Sequence, residues 1–304
     1  ETILEPVEGV GHYEPLRHYA EVHLLLEPLP PGSGIQITSD CPVDFLALPW
    51  QKMILNCLDE MEVPGVLTGS PITDIKITLI AGKAHIKHTE GGDFRQATLR
   101  ALRQGLRSVS CQLLEPIYQF RMELPSGQLS RAMFDLERMQ AQSSITQTRE
   151  ETVILEGTAP VAKMRNYQAE LTAYTHGLGR LTCTFDGYQP CADQEAVIEA
   201  LGYDCDGDLD FPADSIFCSH GAGFLVRYDE VSEHMHLEAQ WHPQTPLSSD
   251  SGYHHNRYTV DDAELKRVME RTHKPKEKAA VHSPVRRKEM PEHVEILQQQ
   301  PKTK

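Results

Sequence analysis

The stretch from residue 73 to residue 80 alternates apolar and polar side chains, with aliphatic residues at every second position. This period of two residues is typical of a strand with one buried face. Glycine residues then mark a loop over residues 82–92. Asp93 follows the loop and is the expected N-cap of a helix, because its carboxylate can accept hydrogen bonds from the first turn.

The helix predicted over residues 93–106 has two different faces. Apolar residues repeat at helical spacing on one face, whereas Arg100, Arg103 and Arg107 fall at i, i+3 and i+7 on the other. We expect an exposed basic stripe behind a loop that carries His85, Lys87, His88 and Thr89. An ordinary solvated surface is the alternative interpretation.

The segments before this unit predict a second helix and a small sheet. Residues 1–18 are rich in Glu, Pro, Gly and His and predict a loop, with His12 and Tyr13 inside it. Strands are predicted over 19–26 and 35–38. A helix is predicted over 45–62, with its apolar side on the sheet.

After residue 113 the periodicity changes repeatedly between two and 3.6 residues. The predicted elements are a strand (117–124), a helix (126–139), two strands (143–148 and 152–157), a helix (161–174) and a strand (179–185). The order β-α-β-β-α-β is that of a ferredoxin-like domain.

The remaining residues carry weaker signals. A short helix is predicted over 192–201, a linker over 244–256, a helix over 259–272, and a disordered Lys/Arg/Pro/Gln-rich tail after Lys274. The predicted domain boundaries are 1–112, 113–190, 191–243 for a C-terminal extension, and 244–304 for linker, short helix and basic tail. The predicted fold class is α+β with two domains and an irregular extension.

Composition narrows the class of protein. The net charge is −15 over 304 residues, so contact with nucleic acid should be confined to local basic surfaces. No apolar run approaches the ~20 residues that span a bilayer, and no secretory signal is visible. The seven cysteines are scattered without a C-x-x-C pair, which favours the reducing cytoplasm. The first residue is Glu1, which suggests an excised or processed piece of a longer protein.

The common catalytic signatures are missing. The sequence has no phosphate-binding G-x-x-x-x-G-K-[ST] loop, no G-x-S-x-G and no H-E-x-x-H, so we expect no active site in this fragment. Metal binding is not predicted either. Residues 204–210 lack the glycine and glutamate positions of a calcium loop. Zinc ligands could come from a scattered set whose spacing fits no finger or ribbon: Cys205, Cys218, His220, His234 and His236.

Three segments carry a resemblance to a known family. They are Leu-Glu-Pro-Leu-Pro-Pro-Gly-Ser (26–33), the window from Gly82 to Asp93-Phe-Arg (82–95), and Leu-Leu-Glu-Pro (113–116). In this order and spacing, the chain resembles the C-terminal part of elongation factor G over residues 1–190. Among the relatives of that factor, the chain is most similar to the tetracycline-resistance ribosomal protection proteins.

The resemblance implies a fourth-domain-like first domain, of the ribosomal S5 second-domain-like type, followed by a ferredoxin-like fifth domain. It also implies binding to rRNA of both ribosomal subunits as a cytoplasmic monomer, without a membrane. The loops 9–15 and 85–92 would form a tip that reaches the decoding region. The expected rRNA-contacting residues of this tip are His12, Tyr13, His85, Lys87, His88 and Thr89. GTP and magnesium would belong to missing N-terminal domains, and no cofactor is expected in this fragment.

Several functions remain open from the sequence. The first is the ribosome-binding fragment of an elongation factor G-like translational GTPase. The first alternative is a protein whose full-length GTPase gives tetracycline resistance by ribosomal protection. A metal-dependent enzyme using the Cys/His set, or a stand-alone RNA-binding module, is the second alternative.

Overall fold

The computed structural model describes residues 1–242. The linker predicted over 244–256, the helix over 259–272 and the basic tail lie outside the described residues. In the described part, no helix is long and apolar enough to cross a membrane.

The first domain is a mixed sheet with two helices. In chain order its elements are β1 (Thr2–Ile3), β2 (Val7–Tyr13), β3 (Ala20–Pro28), β4 (Ile35–Ser39), α1 (Leu48–Glu60), β5 (Ile75–Ala84), α2 (Gly91–Arg107) and β6 (Cys111–Gln112). The predicted strands around β3, β4 and β5 and both helices are confirmed. Strand β2 contradicts the loop predicted over residues 1–18.

Two glycines explain why the sequence pattern does not reveal β2. The strand reads Val-Glu-Gly-Val-Gly-His-Tyr, so glycine interrupts its alternation. A Cβ atom at Gly9 would lie 2.3 Å from the carbonyl oxygen of Ala101, and one at Gly11 would lie 2.2 Å from that of Ala97. The missing side chains therefore let α2 pack its backbone directly against the strand.

The second domain has the ferredoxin-like order that the sequence predicts. Its elements are β7 (Leu114–Pro125), α3 (Leu129–Arg138), β8 (Gln142–Thr148), β9 (Thr152–Pro160), α4 (Val161–Met164), α5 (Tyr167–Tyr174) and β10 (Arg180–Pro190). The antiparallel sheet has the order β10-β7-β9-β8. The helix predicted over 161–174 is divided into α4 and α5.

The C-terminal extension returns to the first domain. It contains α6 (Gln194–Leu201), β11 (Ser215–Ser219), β12 (Ala222–Val226) and α7 (Val231–His234). The β11–β12 hairpin joins the edge of the first sheet, whose order becomes β12-β11-β2-β3-β5-β4. Strand β11 runs parallel to β2, with Ile216 opposite Tyr13. A small core seals this junction: Val10, Phe217, Val226 and Val231.

Candidate nucleic-acid interface

An exposed loop lies where β5 ends and α2 begins. Ala84, the last residue of β5, pairs with Ala20, the first residue of β3. The loop of residues 85–90 and the turn of residues 14–19 therefore lie at the same end of the sheet. We call this end the tip.

Hydrogen bonds within the loop define its shape. The carbonyl oxygen of His85 accepts from the amides of His88 (3.1 Å) and Thr89 (3.0 Å). The Thr89 hydroxyl accepts from the His85 amide at 2.7 Å and donates to the carbonyl oxygen of Tyr19 at 2.6 Å. Thr89, predicted to contact RNA, thus has its hydroxyl occupied in joining the loop to the turn that precedes β3.

The outer side chains of the loop combine positive charge with flat and apolar surfaces. His85, Ile86 and Lys87 are exposed, and His88 is half-buried. The His85 and His88 rings are stacked, with centroids 4.5 Å apart and an interplanar angle of 22°. Such a surface can pair an ammonium group with phosphate and present rings and an aliphatic side chain to unpaired bases.

The tip contains two further cations that the sequence did not single out. Arg17 in the β2–β3 turn and Lys83 near the end of β5 are both exposed. Arg17 has a positive φ of 66°, which belongs to the tight turn. Only the pairing of β3 with β5 brings Arg17 to the same end as Lys87, so periodicity alone could not reveal it, whereas Lys83 is four residues from Lys87 in the chain.

The prediction that His12 contacts RNA at the tip is wrong. His12 lies within strand β2 and is fully buried. Its ring is stacked on Phe217 of the extension, with centroids 4.2 Å apart. Tyr13 is half-buried, and the guanidinium of Arg100 lies 5.2 Å from its ring centroid. The extension covers this side of β2, so the predicted tip loop over residues 9–15 is replaced by a strand and a short turn.

The predicted basic stripe is also wrong at its centre. Arg103 is fully buried and donates hydrogen bonds to five groups. They are the carbonyl oxygens of Pro64 (2.6 Å), Gly65 (3.1 Å) and Phe211 (3.0 Å), the Tyr203 hydroxyl (3.2 Å) and Cys205 Sγ (3.0 Å). The carbonyl oxygens replace the water that a guanidinium requires, which allows the charge to be buried. Because the acceptors belong to both the first domain and the extension, the side chain connects the two.

The other two arginines are directed inward as well. Arg100 is 7% exposed and bonds back to the Gln96 side chain at 2.6 Å, and burial lowers its pKa. Arg107 forms an ion pair with Asp206 at 2.9 Å and lies 4.4 Å from the ring centroid of Tyr228. The arginine face of α2 therefore docks the extension.

Asp93 has a different role from the predicted N-cap. The helix begins at Gly91, Glu90 is the N-cap, and the buried Asp93 carboxylate accepts from the Glu90 amide at 2.8 Å. Its other oxygen lies 2.8 Å from His18 Nδ1. Asp93 thus connects the helix start to the β2–β3 turn and supports the tip.

A buried acidic and imidazole network lies behind the tip. Burial would raise the pKa of Glu21, but its contacts with the His12 and His23 side chains and the hydrogen bond from the Leu237 amide outweigh burial and lower it. Burial would lower the pKa of His23, but hydrogen bonds with Glu21 and Glu8 raise it. Glu8 and His23 are 2.6 Å apart, so the two residues form a buried ion pair.

The scattered Cys/His set does not converge on one point. Within residues 1–242, the cluster of three metal-capable side chains consists of His12, Glu21 and His236. Cys205, by contrast, accepts a hydrogen bond from Arg103. The zinc alternative drawn from the spacing of cysteines and histidines is therefore wrong in all its proposed ligands except His236.

Comparison with known proteins agrees with this architecture. Residues 1–110 match the family model of elongation factor G domain IV, and residues 112–198 match that of the elongation factor G C-terminus. A solved crystal structure of a Thermus thermophilus protein shares the fold, with a TM-score of 0.59 and 22% identity. That likeness covers 67% of this chain and 31% of the other.

Curated relatives fall into two named groups. Tetracycline resistance protein TetO of Streptococcus pneumoniae is 33% identical over 192 residues, covering 62% of this chain and 30% of its own. Tetracycline resistance protein TetP of Clostridium perfringens is 30% identical, and the match covers 56% of this chain and 26% of TetP. Elongation factor G 1 of Synechocystis sp. is 30% identical, and the match covers 60% of this chain and 27% of that factor.

These matches show that residues 1–110 are an elongation factor G domain IV and that residues 112–198 are an elongation factor G C-terminal domain. The chain belongs to the elongation factor G family and, within it, is similar to the tetracycline-resistance proteins. It spans about 30% of the length of TetO. The metal-dependent enzyme considered from the sequence finds no support in these relatives.

Proposed function

We propose that this chain is the ribosome-binding C-terminal portion of an elongation factor G-like translational GTPase, and that its tip reaches the decoding region. One observation carries the proposal: the loop of His85, Ile86 and Lys87 is exposed at the end of a rigid sheet. GTP and magnesium would be bound by the remainder of the parent protein. The whole protein would act as a cytoplasmic monomer.

Electrostatics support a contact restricted to the tip. The chain has a net charge of −15, so most of its surface repels rRNA phosphates. Arg17, Lys83 and Lys87 are exposed at the tip, whereas Arg100, Arg103 and Arg107 of α2 are wholly or largely covered. Cationic side chains on phosphates would position the domain, and the stacked histidines would contact bases.

The test is binding of the full-length parent to ribosomes at several salt concentrations. Lys87→Glu/His88→Glu should weaken binding about tenfold or more, because charge reversal removes a phosphate contact and adds repulsion. The slope of the logarithm of the binding constant against the logarithm of the salt concentration should fall in magnitude by about one for each phosphate interaction that the substitutions remove.

Lys76→Glu is the control. Lys76 lies at the other end of β5, roughly 30 Å from the tip at 3.3 Å per residue, and pairs with Glu27 on the surface. This variant should bind ribosomes like the wild type. Equal affinity of the tip variant and the wild type would contradict the tip assignment.

A second candidate function is tetracycline resistance. It rests on the similarity to TetO and TetP, which are 33% and 30% identical to this chain. Elongation factor G 1 is also 30% identical, so identity alone does not separate the two functions. The test is growth of a sensitive host on tetracycline, with and without the full-length gene. Growth only with the gene would support resistance. Equal inhibition would reject it and leave the ribosome-binding proposal standing.

A further inference from the structure

We propose that His12, Glu21 and His236 bind one divalent transition-metal ion of the Zn²⁺ class, which fastens the C-terminal extension to the first domain. Their ligand atoms all lie within 4.8 Å of one another. His12 Nδ1 is 3.3 Å and His236 Nδ1 is 3.9 Å from Glu21 Oε2. This inference is independent of ribosome binding.

His12 supplies the strongest indication of a ligand. Its Nδ1 atom is buried and has no hydrogen-bond partner, although buried polar atoms are almost always paired. Its Nε2 atom lies 3.1 Å from Glu14 Oε2, an arrangement in which Nε2 can donate to the carboxylate while Nδ1 serves as the ligand atom. A carboxylate behind the distal nitrogen is the usual setting of a metal-binding histidine.

Glu21 directs one oxygen into the cluster. Its Oε1 atom is held by the Leu237 amide at 2.7 Å and by His23 Nε2 at 3.1 Å. Its Oε2 atom faces His12 and His236. The carboxylate is fully buried, so its orientation is set before any ion arrives.

His236 provides the route of entry. Its side chain is 40% exposed, whereas His12 and Glu21 are fully buried. Zn²⁺ bonds of about 2.0–2.1 Å in tetrahedral geometry place ligand atoms about 3.3 Å apart. The His12–Glu21 pair already meets this spacing, so a movement of about 1 Å by His236 would complete the site.

Charge and coordination number favour a divalent cation. The carboxylates of Glu14 and Glu21 lie at the cluster, and His23 lies between Glu21 (3.1 Å) and the further carboxylate of Glu8 (2.6 Å). Two histidines and one carboxylate suit Zn²⁺ and leave one position open. The Tyr19 hydroxyl lies 2.8 Å from His236 Nδ1 and 3.2 Å from Glu21 Oε2, next to that position.

The test is Zn²⁺ titration of the chelator-stripped 304-residue chain by calorimetry, with elemental analysis after gel filtration. We expect one Zn²⁺ that His236→Ala eliminates and an increase in the unfolding temperature on binding. Glu14→Gln should weaken Zn²⁺ binding roughly 10- to 100-fold while retaining the stoichiometry, because it alters only the residue behind His12.

His234→Ala is the matched control, since His234 is exposed two residues earlier and lies outside the cluster. It should retain full Zn²⁺ binding. The proposal is overturned if the wild type binds no Zn²⁺, or if His236→Ala binds as much Zn²⁺ as His234→Ala. Because His236 is partly exposed, its replacement leaves the fold intact, and circular dichroism verifies this.

Discussion

Arg103 is a charged residue whose position in the sequence predicts exposure but whose side chain is buried. Its helical spacing with Arg100 and Arg107 indicates a basic face, yet its guanidinium is fully buried. Carbonyl oxygens of Pro64 and Gly65 from the first domain, and of Phe211 from the extension, accept its hydrogen bonds. No local pattern distinguishes this arrangement from an RNA-binding arginine, because the acceptors lie far away in sequence.

We predict that Arg103→Lys lowers the free energy of unfolding by about 2–3 kcal/mol, because a lysine cannot reach all five acceptors and leaves some buried groups unsatisfied. Urea denaturation of the chain measures this. Arg95→Lys, at an exposed position of the same helix, should change the free energy by less than about 0.5 kcal/mol. Equal stability of the two variants would contradict the structural role of Arg103.

At the scale of elements, the contact between α2 and β2 depends on the absence of side chains. Gly9 and Gly11 face Ala101 and Ala97 of the helix at distances that no Cβ atom could occupy. The helix also presents Gly105 to Gly9, so backbone meets backbone along this line. This contact positions the start of α2 and the tip loop that precedes it.

Gly11→Ala should therefore destabilise the chain by about 3 kcal/mol, because the new methyl group would push the helix away from the strand. Thermal and urea unfolding measure the effect. The control is Gly92→Ala in the first turn of α2, where a Cβ atom has no neighbour within 4 Å. An unaffected Gly11→Ala variant would show that the helix and strand are not in contact.

The elements differ in how far sequence could predict them. Strand β5 and the ferredoxin-like unit follow from periodicity, because each buries one face along a continuous run. Strand β2 does not follow from periodicity, because its glycines make room for the backbone of a helix about 90 residues later. Of the tip, His85 and Lys87 could be located from the loop, but Arg17 needed the strand register.

At the scale of the molecule, the extension decides which surface of the first domain is exposed. Its hairpin adds two strands to the sheet and stacks Phe217 on His12. The segment before the hairpin and Tyr228 after it contact Arg103 and Arg107 of α2. The sequence predicted a separate segment after residue 190, because its few apolar residues form no long periodic run. They complete a core only with Val10 of β2.

Phe217→Ala should cost about 3–5 kcal/mol and unfold the extension together with the first domain, since Phe217 is 3% exposed and stacks on His12. Phe224→Ala is the matched control. Phe224 lies opposite Phe217 on the same hairpin and is 42% exposed, so its loss should cost under about 1 kcal/mol. Equal unfolding temperatures for the two variants would show that the extension is not part of the cooperative unit.

The central claim is that the tip of the first domain makes the ribosome contact. The most direct test is ribosome-stimulated GTP hydrolysis by the full-length parent, with this chain added as a competitor. We predict that the wild-type chain suppresses the stimulation and that Lys87→Glu/His88→Glu requires about tenfold more protein for the same effect. Suppression at equal concentrations by both chains, or no suppression by either, would contradict the claim.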